Sequence, residues 1–194
     1  MLIVIPRMPS ERELRDLAPA LPEDFEARRE EFWGYVEEKI RAFFGKVNRV
    51  YCELLVAGGE EGLETIHRTS DEHLSKMVEG LLEHGAKLEA TEDANLVREW
   101  TAWLEMVGNR PDLKMVEELY SECLRDRIRH ISSTVSRTLG DEEIGILILS
   151  SRLTLELPDD VRVVRMCRFE PSDYVSIWLK RLELMEKRGE KKEG

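Results

Sequence analysis

The chain has little of what most readily announces a function. Only three of its 194 residues are cysteine: Cys52, Cys123 and Cys167. They form no CxxC pair and no even-numbered framework, which excludes a disulfide-stapled fold and the common thiolate zinc sites. Buried, reduced thiols are the expectation instead. The four histidines make no His-x-x-x-His pair, so helix-borne zinc catalysis of that kind lacks its ligands. No Gly-x-Gly-x-x-Gly follows a predicted strand and no Gly-x-x-x-x-Gly-Lys occurs, which removes the usual nucleotide-phosphate cradles. Ser132-Ser133 and Ser150-Ser151 have no nucleophile elbow around them. No apolar run reaches the ~20 residues of a membrane span. The opening Met1-Leu2-Ile3-Val4-Ile5-Pro6 is short and lacks the basic start of a signal peptide. A soluble, cytoplasmic protein is expected.

Charge is what the chain has in abundance. Asp, Glu, Lys and Arg make up 36% of it, against ~25% in ordinary domains. That surplus suits ion-pair networks of the thermophile kind. The net charge of −11 repels phosphate backbones and anionic bilayers, so no nucleic-acid and no membrane partner is expected. An apolar content of 42% is enough to bury a substantial core.

Hydrophobic periodicity divides the chain into alternating elements. Leu2–Ile5 is a continuous apolar run ended by Pro6, the mark of a strand buried on both faces. Ser10 with Glu13 forms a capping box for a first helix, broken at Pro19 and Pro22. The segment 23–46 is helical, with Phe25, Phe32, Trp33, Val36, Ile40 and Phe43 on one face. A strand follows over Asn48–Val56, then helices over Glu60–Arg68 and Asp71–His84, the second capped by Ser70. Ala86–Ala90 is a short strand. Asp93–Val107 is a helix, with Trp100 and Trp103 read as core, and 112–139 is the longest helix. Its apolar stripe is Met115, Val116, Leu119, Cys123, Leu124, Ile128, Ile131 and Val135. Strands over Ile144–Leu149 and Val161–Met166 and a closing helix over Ser172–Arg188 complete the series. The order predicts a helix-rich α/β fold, with a mainly parallel sheet of about five strands flanked by helices. A single α/β domain over 1–188 and a disordered charged tail over 189–194 are expected.

In an open parallel sheet, ligands meet the carboxyl ends of the strands. Those ends carry Arg7, Glu53, Thr91-Glu92-Asp93, and Ser150-Ser151-Arg152. Glu92 and Asp93 are the candidate catalytic acids, since carboxylates beside guanidinium groups serve acid/base chemistry or hold a metal. Arg7, Glu53, Ser150 and Arg152 are the candidate binding residues. Arg125 and Asp126, in the Arg125-Asp126-Arg127 cluster of the long helix, are placed to support Glu92. Each has a structural alternative: Asp93 as cap of the following helix, Arg7 and Arg152 as ion-pair partners, Arg125 and Asp126 as a solvated face.

Several blocks together resemble a family of uncharacterised prokaryotic proteins distantly similar to the TraB/ChaN/Tiki/erythromycin-esterase-like group. They are Leu2-Ile3-Val4-Ile5-Pro6, Val50-Tyr51-Cys52-Glu53-Leu54-Leu55-Val56 with Gly59-Glu60-Glu61, and Gly85 through Asp93. Further along come Leu124-Arg125-Asp126-Arg127-Ile128, then Gly145-Ile146-Leu147-Ile148-Leu149 with Leu157-Pro158-Asp159-Asp160-Val161. The resemblance implies an enzyme-like α/β fold. Members of that group tend to carry a histidine after the first strand and a Gly-x-x-His turn after the late strand. Here those places read Arg7-Met8-Pro9 and Ser150-Ser151-Arg152.

Three expectations follow. One is a hydrolase-like or metal-dependent enzyme, its cofactor unassigned and a divalent metal one option. The second is a non-catalytic binding or scaffold protein, homo-oligomeric through an apolar patch such as Phe32, Trp33, Phe43 and Trp178. The third is a sensor holding a small-molecule ligand in the strand-end crevice.

Overall fold

The computed structural model describes residues 1–18, 20–109, 114–150 and 154–190, except for the side chains of 108–109 and 186–190. Five strands form one sheet: β1 (Leu2–Pro6), β2 (Val47–Cys52), β3 (Lys87–Leu88), β4 (Ile144–Leu149) and β5 (Val163–Arg165). Their order is β3-β2-β4-β1-β5, and every pairing is parallel. Leu2 lies opposite Gly145 and Val163, while Val50 lies opposite Ile146 and Leu88. All strand carboxyl ends therefore reach the same edge. The expected α/β fold is the observed one.

Strand alternation sorts the core into two layers. Ile3, Ile5, Val50, Cys52, Ile146 and Ile148 face one way. They meet α2 (Phe25–Ile40), α4 (Glu72–Glu83) and α7 (Pro171–Glu190) through Phe32, Trp33, Val78, Leu81 and Trp178. Leu2, Val4, Tyr51, Leu147 and Leu149 face the other way, onto Ile131 and Val135 of α6 (Lys114–Thr138). Leu155, Leu157 and Val161, in the link from β4 to β5, complete that second layer. The Ser132 hydroxyl pins this link by accepting the Glu156 N–H at 2.9 Å.

Helix α6 has 25 residues, about 37 Å, roughly twice the length of a six-residue strand. Its second half lies on the sheet. Its first half packs on α5 (Ala94–Asn109), the Cys123 thiol donating to the Leu96 carbonyl at 3.7 Å. The capping box of α1 (Glu11–Leu17) is present as expected.

Several boundaries differ from the sequence reading. β2 ends at Cys52 rather than Val56, because Leu54 takes a left-handed backbone, φ +66°, that a strand cannot contain. The strand at 86–90 shrinks to two residues and the last strand to three. Asp71, not Ser70, caps α4, by accepting the His73 N–H. α3 (Gly59–Thr69) begins beside β3, where a Cβ on Gly58 would stand 2.7 Å from the Leu88 carbonyl oxygen. α1 stops at Leu17, and Pro19 lies outside the described residues. Residues 189 and 190 belong to α7, while 191–194 lie outside the described residues.

The expected apolar contact patch is not a surface. Phe32 and Trp33 are fully buried, Trp178 is buried and Phe43 packs on the core. Phe32, Trp33 and Trp178 hold α2 and α7 on the sheet rather than forming a surface.

Candidate functional site

At the carboxyl edge, two carboxylates converge on one guanidinium. Arg127 Nε donates to Glu92 Oε2 at 2.7 Å, and Nη2 donates to Glu92 Oε1 at 2.6 Å and to Glu53 Oε1 at 3.3 Å. The three side chains are 1%, 1% and 4% exposed for Arg127, Glu92 and Glu53. Trp100 of α5 lies against the guanidinium, whose carbon is 4.2 Å from the ring centroid. A bidentate pair this deeply buried strongly resists the loss of either partner. Burial opposes the charge of Arg127, but the Glu92 and Glu53 contacts outweigh it and raise the guanidinium further.

The backbone around the cluster is arranged to present it. The Thr91 hydroxyl accepts the Cys52 N–H at 3.0 Å and donates to the Glu89 carbonyl at 3.2 Å, tying β3's end to β2. The N–H groups of Thr91 and Glu92 both donate to the Leu55 carbonyl, at 2.8 and 3.0 Å. Glu92 Oε1 accepts the Leu54 N–H at 2.8 Å. Leu54 is the non-glycine residue with positive φ among the described residues, a conformation costing about 1–2 kcal/mol. Glu53 precedes this turn and continues the β2 ladder, its N–H donating to the Ile148 carbonyl at 2.9 Å, so alternation puts its side chain on the Tyr51 face toward α6. Its Oε2 accepts both the N–H and the hydroxyl of Ser150 at the end of β4. One network thus joins β2, β3, β4 and α6.

The sequence candidates divide accordingly. Glu92, Glu53 and Ser150 come together. Asp93, adjacent to Glu92, points the other way and caps α5, accepting the Asn95 and Leu96 N–H groups at 2.8 and 3.1 Å. Those two backbone donors hold its carboxyl below the usual range. Arg7 pairs with Glu13 at the head of α1. Burial would raise Glu13, but the guanidinium and the Ser10 cap overcome it, and its carboxyl lies below the ordinary value. Arg125 is exposed, and Asp126 pairs with Arg129 on the solvated face at 2.7 Å. Arg152 lies outside the described residues.

Arg127 takes the place expected of Arg125, and sequence reading passed over it. The signal was present: Arg127 stands four residues after Cys123 and four before Ile131, inside the buried stripe of α6. A charge at a stripe position is the informative exception. Trp100, read as plain core, is half-buried and supplies the ring on which this charge rests.

Among the described residues, no group of three or more His, Cys, Asp or Glu is placed to hold a metal ion. Glu53 and Glu92 meet a guanidinium, which supplies the positive charge a metal would bring. Burial pushes the Cys52 thiol up to about 12, which makes it a core thiol rather than a nucleophile. Among the described residues, no helix is long and apolar enough to cross a membrane.

No family model, no curated protein and no solved structure matches the chain. The site must be read from its own chemistry.

Proposed function

We propose that this chain is a hydrolase-like α/β protein whose working group is Glu53, held at the strand ends by Arg127 and the strained Leu54 turn. Leu54 carries the reading. A non-glycine residue in a left-handed conformation persists only where its surroundings enforce it, and such residues gather at working sites. Here Glu92 accepts the Leu54 N–H at 2.8 Å, immediately after Glu53. The carboxylate accepts the Ser150 hydroxyl proton, the geometry of a general base beside an oxygen nucleophile. In this role Glu53 takes a proton from that hydroxyl, or from a water in its place, as the oxygen adds to the carbonyl carbon or phosphorus of the substrate, and gives it to the alcohol or amine that departs as the scissile bond breaks. Glu92 and Arg127 are positioning residues. The resemblance of the blocks around Glu53 and Thr91-Glu92-Asp93 to the TraB/ChaN/Tiki/erythromycin-esterase-like group supports the same site, without the histidines typical there.

The test is a hydrolysis screen with ester, amide and phosphoester substrates, followed by Glu53→Gln on any substrate turned over. Turnover should fall by about 10²–10⁴-fold while folding is retained. No turnover across the panel, or undiminished turnover in Glu53→Gln, ends this reading.

A second reading has its own observation. Arg127 is 1% exposed, and the network joins three strand ends to a helix, as a structural clamp would. Under it the chain is a non-catalytic binding protein, and Glu53→Gln lowers stability without touching any turnover.

A further inference from the structure

The backbone donors around the strand-end cluster are spent on the protein itself. The N–H of Leu54 goes to Glu92, that of Ser150 to Glu53 and that of Cys52 to Thr91. The N–H groups of Thr91 and Glu92 both go to the Leu55 carbonyl. Two buried donors at the cluster meet no acceptor: Arg127 Nη1 and Trp100 Nε1. A buried donor without an acceptor is destabilising, so a pair of them side by side calls for an explanation.

Covalent geometry fixes where Nη1 points. Glu92 occupies the Nε–Nη2 side of the guanidinium, so Glu53 Oε1 meets the other Nη2 proton, at the fork shared with Nη1. An oxygen accepting from Nη1 therefore stands beside the Glu53 carboxylate, whose other oxygen holds Ser150. Trp100 covers this position. Its ring centroid lies 4.2 Å from the guanidinium carbon, and the half-buried ring is tied by no hydrogen bond. It can shift to admit an oxygen and then donate to it.

Charge decides which oxygen. Glu53 and Glu92 bring two negative charges to one guanidinium, so the cluster repels an arriving phosphate or sulfate. Such anions also need several N–H donors, and the backbone ones here are taken. A carbonyl oxygen is uncharged, and its two lone pairs match the two spare N–H groups. The α7 groove offers no comparable pointer. This hollow of about 820 Å³ lies between α7 and the segment leading into α2, and its rim charges include Asp24 paired with Arg28 and Glu170 paired with Arg165.

We infer that the substrate of the strand-end site is an uncharged ester or amide, its carbonyl oxygen received by Arg127 Nη1 and Trp100 Nε1. This inference rests on the hydrolase-like reading and names its substrate class. As the Ser150 hydroxyl or a water adds to the carbonyl carbon, its proton passes to Glu53 and the carbonyl π pair moves onto the oxygen. Glu53 becomes neutral as that oxygen becomes negative, so the guanidinium fork faces one negative charge before and after. Collapse of the tetrahedral centre returns the pair and expels the alcohol or amine, which takes the proton from Glu53. Where Ser150 is the nucleophile, water repeats the addition and frees the acyl group. Arg127 thus touches the substrate as well as positioning Glu53.

Four chromogenic substrates test it. The uncharged p-nitrophenyl butyrate and its p-nitroanilide are set against p-nitrophenyl phosphate and sulfate, with Glu53→Gln subtracting reaction outside the site. Glu53-dependent kcat/KM for the better acyl substrate should exceed that for either anion by about 10²-fold or more. Inorganic phosphate should not inhibit. Trp100→Phe keeps the ring and removes the N–H, avoiding the loss of fold that accompanies Arg127 substitutions. Its kcat should fall about tenfold at unchanged KM and melting temperature. Preference for an anion, inhibition by phosphate, or undiminished kcat in Trp100→Phe overturns this inference and leaves the hydrolase-like reading standing. No Glu53-dependent turnover of any of the four ends both.

Discussion

The strand-end cluster and the α7 groove reverse the usual relation between polarity and burial. At the strand ends a guanidinium and two carboxylates are almost wholly enclosed. Along α7, Ile177, Leu184 and Met185 are more than half exposed. The buried charges meet one another and nearby backbone groups, which fixes their geometry, although Arg127 Nη1 has no hydrogen-bond partner. The exposed apolar face carries no such demand, and its surroundings leave a hollow. The first region is fixed by many polar partners, whereas α7 is held by Trp178 and its neighbours and leaves Ile177, Leu184 and Met185 outward.

Substitutions sharpen that contrast. The largest effect should come from Arg127→Ala, which leaves Glu92 and Glu53 buried without their cation and costs about 3–5 kcal/mol in urea denaturation. Exposed Arg125→Ala should stay within about 0.5 kcal/mol. Equal effects of the two would remove Arg127 from the centre of the cluster. Replacing the cluster together, as Arg127→Met with Glu92→Leu and Glu53→Gln, should recover part of the loss, because no charge is then left buried without its partner.

A smaller loss belongs to Gly58→Ala. The added Cβ must move the Leu88 carbonyl or the Ala90 N–H, which stand 2.7 and 3.0 Å from it. About 1–3 kcal/mol of destabilisation is expected. A neutral result would show that the loop before α3 shifts freely past β3.

Acid should act on the salt bridge at the entry of α1. The carboxyl of Glu13 is depressed below its ordinary value of 4.5 in the folded chain. Its contribution is therefore complete above that value and is lost as pH falls through the lower, folded one. A melting series in acid should show Glu13→Gln less acid-sensitive than the parent; parallel curves would discard the assignment. At the other extreme, Ile177→Arg in the groove should leave stability within about 0.5 kcal/mol. A large loss there would mean that the groove face is core after all.

Particular residues show how far the chain could be read. The parallel sheet was legible because Leu2–Ile5 and Ile144–Leu149 are unbroken apolar runs and long amphipathic stretches intervene. The end of β2 was not legible, since nothing in the residue type of Leu54 announces a left-handed backbone. Glu92 and Asp93 were equal candidates in sequence, yet they have opposite environments: Asp93 meets two backbone N–H groups, and Glu92 meets Arg127. The apolar patch was misread because periodicity shows which face is apolar but not what covers it.

The sequence by itself determined the elements, their parallel arrangement and the edge at which strand-end carboxylates gather. Those features follow from local periodicity and from the handedness of strand–helix–strand connections. The tertiary structure alone decided that Arg127 rather than Arg125 reaches Glu92, that the Leu54 N–H meets the Glu92 carboxylate, and that α7 leaves a groove uncovered. Each depends on the rotation of a helix or the twist of a turn against a neighbour distant in sequence; spacing puts Arg127 in the buried stripe of α6 but does not name the carboxylate it meets.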